Sequence, residues 1–229
     1  MFYQSITCLI LLLFSGFCNA IIISPTVFEL NTDRNTTSQI IVTNNSTEKM
    51  PLEVSIHQLV FKKNGQYETK ALNSDALLVF PPAAMLAPNS KQVFRIQWLD
   101  PSVQKTSSSY FIRFTQAHLT GAGQSRALPV QQSGVKIKVH YNALLHVYSN
   151  NQQPDVTLEV SDAGQLVIRN TGERFTYSRL LYFEPLTATE NYSLQQQVGD
   201  QFLPPFSTFT LRSRKAIPVG KYHGREQSQ

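Results

Sequence analysis

Apolar and polar residues alternate with a period of two along much of this 229-residue chain, and wherever the alternation stops, turn chemistry takes over. Leu52, Val54 and Ile56 alternate with Glu53 and Ser55, and the run from Val93 to Trp98 repeats the pattern. Each predicts a strand with one buried face. Further strand-like runs are Ile21–Ile23, Thr26–Leu30, Ser38–Thr43, Val60–Phe61, Leu77–Phe80, Tyr110–Thr115 and Asn142–Tyr148. Asn44-Asn45-Ser46 and Pro81-Pro82 punctuate them, and Asn64-Gly65 after Lys62-Lys63 is a strong hairpin signal. No helical period of useful length competes in this half.

Seven or so short strands at this spacing predict an antiparallel sandwich of the immunoglobulin type. The polar stretch Ser149–Pro154 carries no apolar periodicity and reads as a linker. Beyond it the same grammar returns more weakly in Val156–Val160, Gln165–Arg169, Tyr177–Phe183, Tyr192–Gln196 and Phe206–Leu211. It closes on Ile217-Pro218-Val219 and a polar tail, Lys221–Gln229. The expectation is an all-β protein of two immunoglobulin-like β-sandwich domains, spanning 21–148 and 149–229.

The segment Ala127–Leu145 is unusual within that frame. In Val135–Tyr141, apolar Val135, Ile137, Val139 and Tyr141 alternate with Lys136, Lys138 and His140, whereas upstream Leu128 and Val130 lie on the opposite parity. A bulge at Ser133–Gly134 reconciles the two, and turns Leu128 and Val130 away from the core. Exposed alternating apolar residues on a strand are an aggregation hazard unless a partner's sheet completes the pairing.

The first twenty residues hold an apolar run from Cys8 to Phe17 and then Cys18-Asn19-Ala20, the pattern of a secretory signal peptide cleaved before Ile21. The run is too short to span a bilayer, so no membrane insertion is expected after cleavage. Both cysteines fall in this segment, which leaves the exported chain without a disulfide. The formal charge of +5 lies wholly after it. The densest basic cluster, Arg212-Ser213-Arg214-Lys215, reads as a solvated loop, so neither nucleic acid nor anionic lipid is indicated. The five histidines, His57, His118, His140, His146 and His223, form no metal or catalytic motif and read as surface or half-buried side chains. Gly121-Ala122-Gly123 reads as a hairpin tip, and Asn35, Asn44, Asn45 and Asn191 in their sequons as turn residues. No cofactor and no enzymatic activity is expected.

Four stretches, SQIIVTNNSTEKMPLEVSI, LLVFPPAAMLAPNSKQVFRIQW, SYFIRF and VKIKVHYNALL, together resemble the PapD-like periplasmic pilus chaperones of the chaperone–usher pathway, as a divergent branch. The resemblance covers most of Ser24–Tyr148. It implies two immunoglobulin-like domains joined at an angle, and a strand lent to a pilin subunit whose own sandwich lacks one. It also implies that Leu128, Val130 and Gln132 are the donor residues and that Lys138 grips the subunit's C-terminal carboxylate. The family's first-strand arginine is replaced here by Pro25, so Arg113 in YFIRF becomes the second anchor, with Lys136 as runner-up. Arg95 fits a structural family position, Asn142 stands where an interdomain arginine is usual, and Pro81–Pro82 aligns with a proline pair that can hold a cis bond. The implied partners are pilin or fimbrial subunits and an outer-membrane usher, in the periplasm. The alternatives are a surface-fibre subunit or adhesin with immunoglobulin-like domains, and a secreted β-sandwich enzyme or carbohydrate binder. A subunit is expected to be one shorter domain with a donor extension. The enzyme or binder is expected to carry clustered carboxylates or exposed aromatics, whereas the single Trp98 sits in a core-like strand.

Overall fold

The computed structural model describes residues 21–72, 75–100, 104–117, 138–213 and 217–227. Its first half contains β1 (Ile21–Ser24), β2 (Val27–Asn31), β3 (Thr37–Asn44), β4 (Met50–Phe61), β5 (Tyr67–Ala71), β6 (Leu77–Phe80), β7 (Ala83–Leu86), β8 (Ser90–Trp98), β9 (Ser108–Gln116) and β10 (His140–Tyr148). They form two sheets, ordered β1-β3-β8-β6 and β2-β10-β9-β4-β5, with β7 also pairing β4. Alternation explains how the sheets face one another. Phe94, Ile96 and Trp98 of β8 point inward with Ile40 and Val42 of β3, and meet Leu52, Ile112, Phe114, Ala143 and Leu145 from the second sheet. Phe94 and Phe114 pack edge to face at 4.9 Å between centroids.

The turns behave as their residues dictate. At the β4–β5 hairpin Gly65 N–H donates to Lys62 O at 2.9 Å and the glycine adopts φ +78°, which a side chain would resist. Asn44 is fully buried: its amide donates to Glu48 O at 2.8 Å and Ala87 O at 3.0 Å, and its carbonyl accepts from Ser46 N at 3.0 Å. That side chain is a built-in peptide mimic within the turn. Phe80–Pro81 is cis, as the proline pair suggested, and Ser24–Pro25 is cis where the chain leaves the edge of one sheet for the edge of the other.

The second half contains β11 (Val156–Val160), β12 (Gln165–Asn170), β13 (Thr176–Tyr177), β14 (Leu181–Glu184), α1 (Ala188–Val198), β15 (Phe202–Leu203), β16 (Ser207–Arg212) and β17 (Gly220–Glu226). Five strands form one sheet, ordered β14-β17-β11-β12-β16, and β13 pairs β15. Val156, Leu158, Leu166 and Ile168 of the sheet share a core with Leu194, Val198 and Leu203.

The strand expected over Tyr177–Phe183 is broken by a 3-10 turn at Ser178–Leu180, and two further expectations fail outright. The strand expected at Tyr192–Gln196 is part of α1, whose start is set by a capping box: Thr187 Oγ1 accepts from Glu190 N at 3.3 Å, and the Glu190 carboxylate accepts from Thr187 N at 2.7 Å. Asn191, Leu194 and Val198, spaced by three and four, form its buried side. The Asn191 amide donates to Phe183 O and Leu186 O, and its carbonyl accepts from Phe183 N, so this asparagine pins α1 to β14. Thr187→Ala is expected to lower stability by about 1 kcal/mol through loss of the cap, read as a shifted midpoint in urea unfolding at unchanged slope. The polar tail is the second correction, because its first part is β17, a central strand. Tyr222 is its one buried apolar residue. At Gly224 an added Cβ would stand 3.0 Å from the Phe183 ring and 3.3 Å from Val156 O, so neighbouring groups fill the space a side chain would need.

Candidate functional site

The sheet β2-β10-β9-β4-β5 presents its non-core face through Glu53, Ser55, His57, Leu59 and Phe61 of β4, Ser109, Phe111, Arg113 and Thr115 of β9, and the even residues of β10. One end of this face is closed by the second half of the chain. His146 of β10 is fully buried, stacked between Phe175 (4.4 Å between centroids) and Phe202 (4.7 Å). Its Nδ1 lies 2.8 Å from Ser109 Oγ and its Nε2 2.9 Å from Tyr177 Oη. Phe61 rests on Phe202, the Arg174 guanidinium lies 4.0 Å above the Tyr148 ring, and Thr208 N–H donates to Lys63 O at 2.6 Å. A surface or half-buried position was expected for His146. The residues that bury it lie about thirty to fifty-five positions further along the chain, and no local pattern announces them. In that aromatic setting burial lowers the His146 pKa to about 4.

Among the described residues the other end of the same face is open, and it is cationic. Arg113 pairs directly with Ser55 on β4 and with Asn142 on β10. Its Nε–H donates to Asn142 Oδ1 at 3.1 Å. His57 lies two residues further along β4, with Nε2 3.1 Å from Ser55 Oγ, and His140 two residues away on β10, with Nδ1 2.9 Å from Thr115 Oγ1. Partial burial first, then the charges of Arg113 and His140, hold the His57 pKa below its ordinary value. Lys138 is exposed immediately ahead of β10. Glu53 is the one carboxylate on this face of β4, β9 and β10 among the described residues.

Beside this cluster the sheet has an open edge. β2 pairs in parallel with Leu144–Tyr148 of β10, and Leu144 N–H donates to Thr26 O. His140–Ala143 pair only with β9 among the described residues, so their other edge presents unpaired main-chain groups.

The sequence-predicted residues distribute as follows. Arg113 and Lys138 belong to the open end of the face, Arg113 within the sheet and Lys138 at its margin. Arg95 stands on the other sheet, paired with Gln39 and with the exposed Phe80, and is not part of this surface. Pro25 sits where the chain switches sheets, next to the start of β2. Leu128, Val130 and Gln132, the bulge at Ser133–Gly134, and Lys136 lie outside the described residues. Sequence reasoning did not connect His57 and His140 with Arg113, because their meeting depends on strand register. No group of three or more His, Cys, Asp or Glu side chains among the described residues is placed to hold a metal ion.

No family model and no curated protein matches the sequence. Solved structures do. The class 5 fimbriae chaperone CfaA is 13% identical over 92% of this chain and 100% of its own, with a TM-score of 0.56. The CsuC–CsuE chaperone–tip adhesion subunit pre-assembly complex, from the archaic chaperone–usher Csu pili of Acinetobacter baumannii, matches at 12% identity over 85% of this chain and 90% of that one, with a TM-score of 0.53. The Salmonella enterica SafA pilin in complex with the SafB chaperone matches at 11% identity over 86% of each chain, with a TM-score of 0.51. The fold of this chain is that of the pilus chaperones, two immunoglobulin-like domains built mainly from β-strands.

Proposed function

We propose that this protein is a periplasmic chaperone that binds pilus or fimbrial subunits by donor-strand complementation and delivers them to an outer-membrane usher. The observation that carries the reading is the open edge of β10 at His140–Ala143, lying beside a cationic surface that ends in Arg113 and Lys138. An extended subunit strand adds to such an edge through main-chain hydrogen bonds, each worth about 0.5–1.5 kcal/mol net. Leu128, Val130 and Gln132, just upstream of this edge, enter the groove of the incomplete subunit and supply affinity by apolar burial. Arg113 and Lys138 take the subunit's terminal carboxylate, which fixes the register of the added strand. The work is done by binding energy alone, with no cofactor. The likeness to the CfaA fold and to the SafB and CsuC complexes supports the same reading.

The test is co-purification from periplasm. The tagged protein, expressed with the pilin-like chains encoded beside its gene, is expected to bring down one of them in stoichiometric amount. Recovery of the chaperone alone, with every candidate subunit confirmed as expressed, would overturn the reading in favour of a surface-fibre component.

A further inference from the structure

We propose that His57 and His140 complete a carboxylate site around Arg113, so that a carboxylate-ended strand binds more tightly as the pH falls. The inference rests on the reading of this face as the subunit's carboxylate anchor. Three side chains from three adjacent strands share this face. Arg113 has Ser55 and Asn142 directly across from it, and His57 and His140 are its diagonal neighbours in opposite directions along the sheet. Diagonal cross-strand positions are within reach of long and aromatic side chains.

Each member is held by a neutral neighbour that leaves its ligand-binding atoms available. Ser55 Oγ engages His57 Nε2, Thr115 Oγ1 engages His140 Nδ1, and Asn142 Oδ1 engages Arg113 Nε. That leaves His57 Nδ1, His140 Nε2 and the two terminal guanidinium nitrogens without a hydrogen-bond partner among the described residues. A carboxylate, with two oxygens and about four acceptor sites, matches such a set of donors.

Among the described residues the charged groups around the cluster are few. Glu53 on β4 makes no ion pair among the described residues, and Lys138 precedes β10. On β5, Lys70 and Glu68 pair with Gln58 and Val60, whose parity is opposite to that of His57. In the free protein partial burial and the positive charge of Arg113 disfavour protonation of the His57 ring. A bound carboxylate reverses that field and favours the protonated rings, and by linkage the protonated rings favour the carboxylate.

The probe is acetate, titrated into the full exported chain against chloride at matched ionic strength while the imidazole NMR signals are followed. Saturable shifts at His57 and His140 are expected, with binding about tenfold tighter at about pH 5.5 than at about pH 7.5. His57→Gln with His140→Gln is expected to bind equally at both pH values, and each single variant to keep part of the gain; the singles also serve if the double variant fails to fold. Saturable binding that is indifferent to pH, or an absence of saturable shifts at these rings, overturns the inference. Co-purification of a subunit decides the chaperone reading separately from either result.

Discussion

Lys138→Ala and Arg113→Ala, tested singly and together, are expected to remove subunit capture while leaving the protein folded. Truncating one partner of a shielded, hydrogen-bonded charge pair costs about 2–5 kcal/mol, most of it from the partner charge left behind, which corresponds to a loss of affinity of about 30-fold or more. The subunit's carboxylate is the charge left behind here. Lys138 is exposed and Arg113 gives up one hydrogen bond, to the exposed Asn142, so neither change touches the core. The readout is the ratio of subunit to chaperone recovered from periplasm, with circular dichroism confirming the fold of each variant. Undiminished recovery with Lys138→Ala but collapse with Arg113→Ala would assign the anchor to the sheet residue alone. Undiminished recovery with the double variant would remove the carboxylate from the mechanism, and leave the open strand edge as the sole docking feature.

Acidification is expected to weaken the contact between the two halves of the chain through His146. An unfolded imidazole titrates at about 6.5, whereas the buried ring titrates at about 4. The neutral ring's contribution is therefore complete above pH 6.5, declines as the pH falls through that window, and is gone below pH 4. The amount at stake is about 3 kcal/mol. His146→Gln, which keeps a hydrogen-bonding side chain but cannot titrate, isolates the effect from the carboxylates that also protonate in acid. Wild type should lose about 3 kcal/mol more than this variant between about pH 7 and about pH 4 in urea unfolding. Parallel pH profiles would mean that the ring is protonated in place, and that the aromatic stack does not exclude its charge. Phe175, Tyr177 and Phe202 all belong to the second half, so the cost of protonation falls first on the junction that sets the position of the two halves.

How much of this was legible in the sequence depends on whether an element's signal is local. Residues 52–56 of β4 and all of β8 have one face in the core and one outside it, so their burial alternates as their residues do. The β4–β5 turn was legible because Asn-Gly specifies a backbone conformation by itself. By contrast, α1 was misread: its start signal, Thr187 with Glu190, is short, and its buried side is led by an asparagine. β17 was missed because Tyr222 is its one core side chain, while at Gly224 the Phe183 ring takes the place of a side chain. Arg113 and Lys138 entered as candidates from the family resemblance. The sequence could place neither His57 nor His140 beside them.

By itself the sequence determined the all-β class, most strands of the first half, though neither β5 nor β7, and the hairpin chemistry between them. These follow from periodicity and from backbone preferences, both of which act over a few residues. Only the tertiary structure decided that one end of a sheet face is sealed around His146 while the other end gathers Arg113, His57 and His140 next to an unpaired strand edge. Strand register and the packing of the second half on the first set both ends. Register joins residues distant in sequence, and a shift of one position would move every side chain to the opposite face.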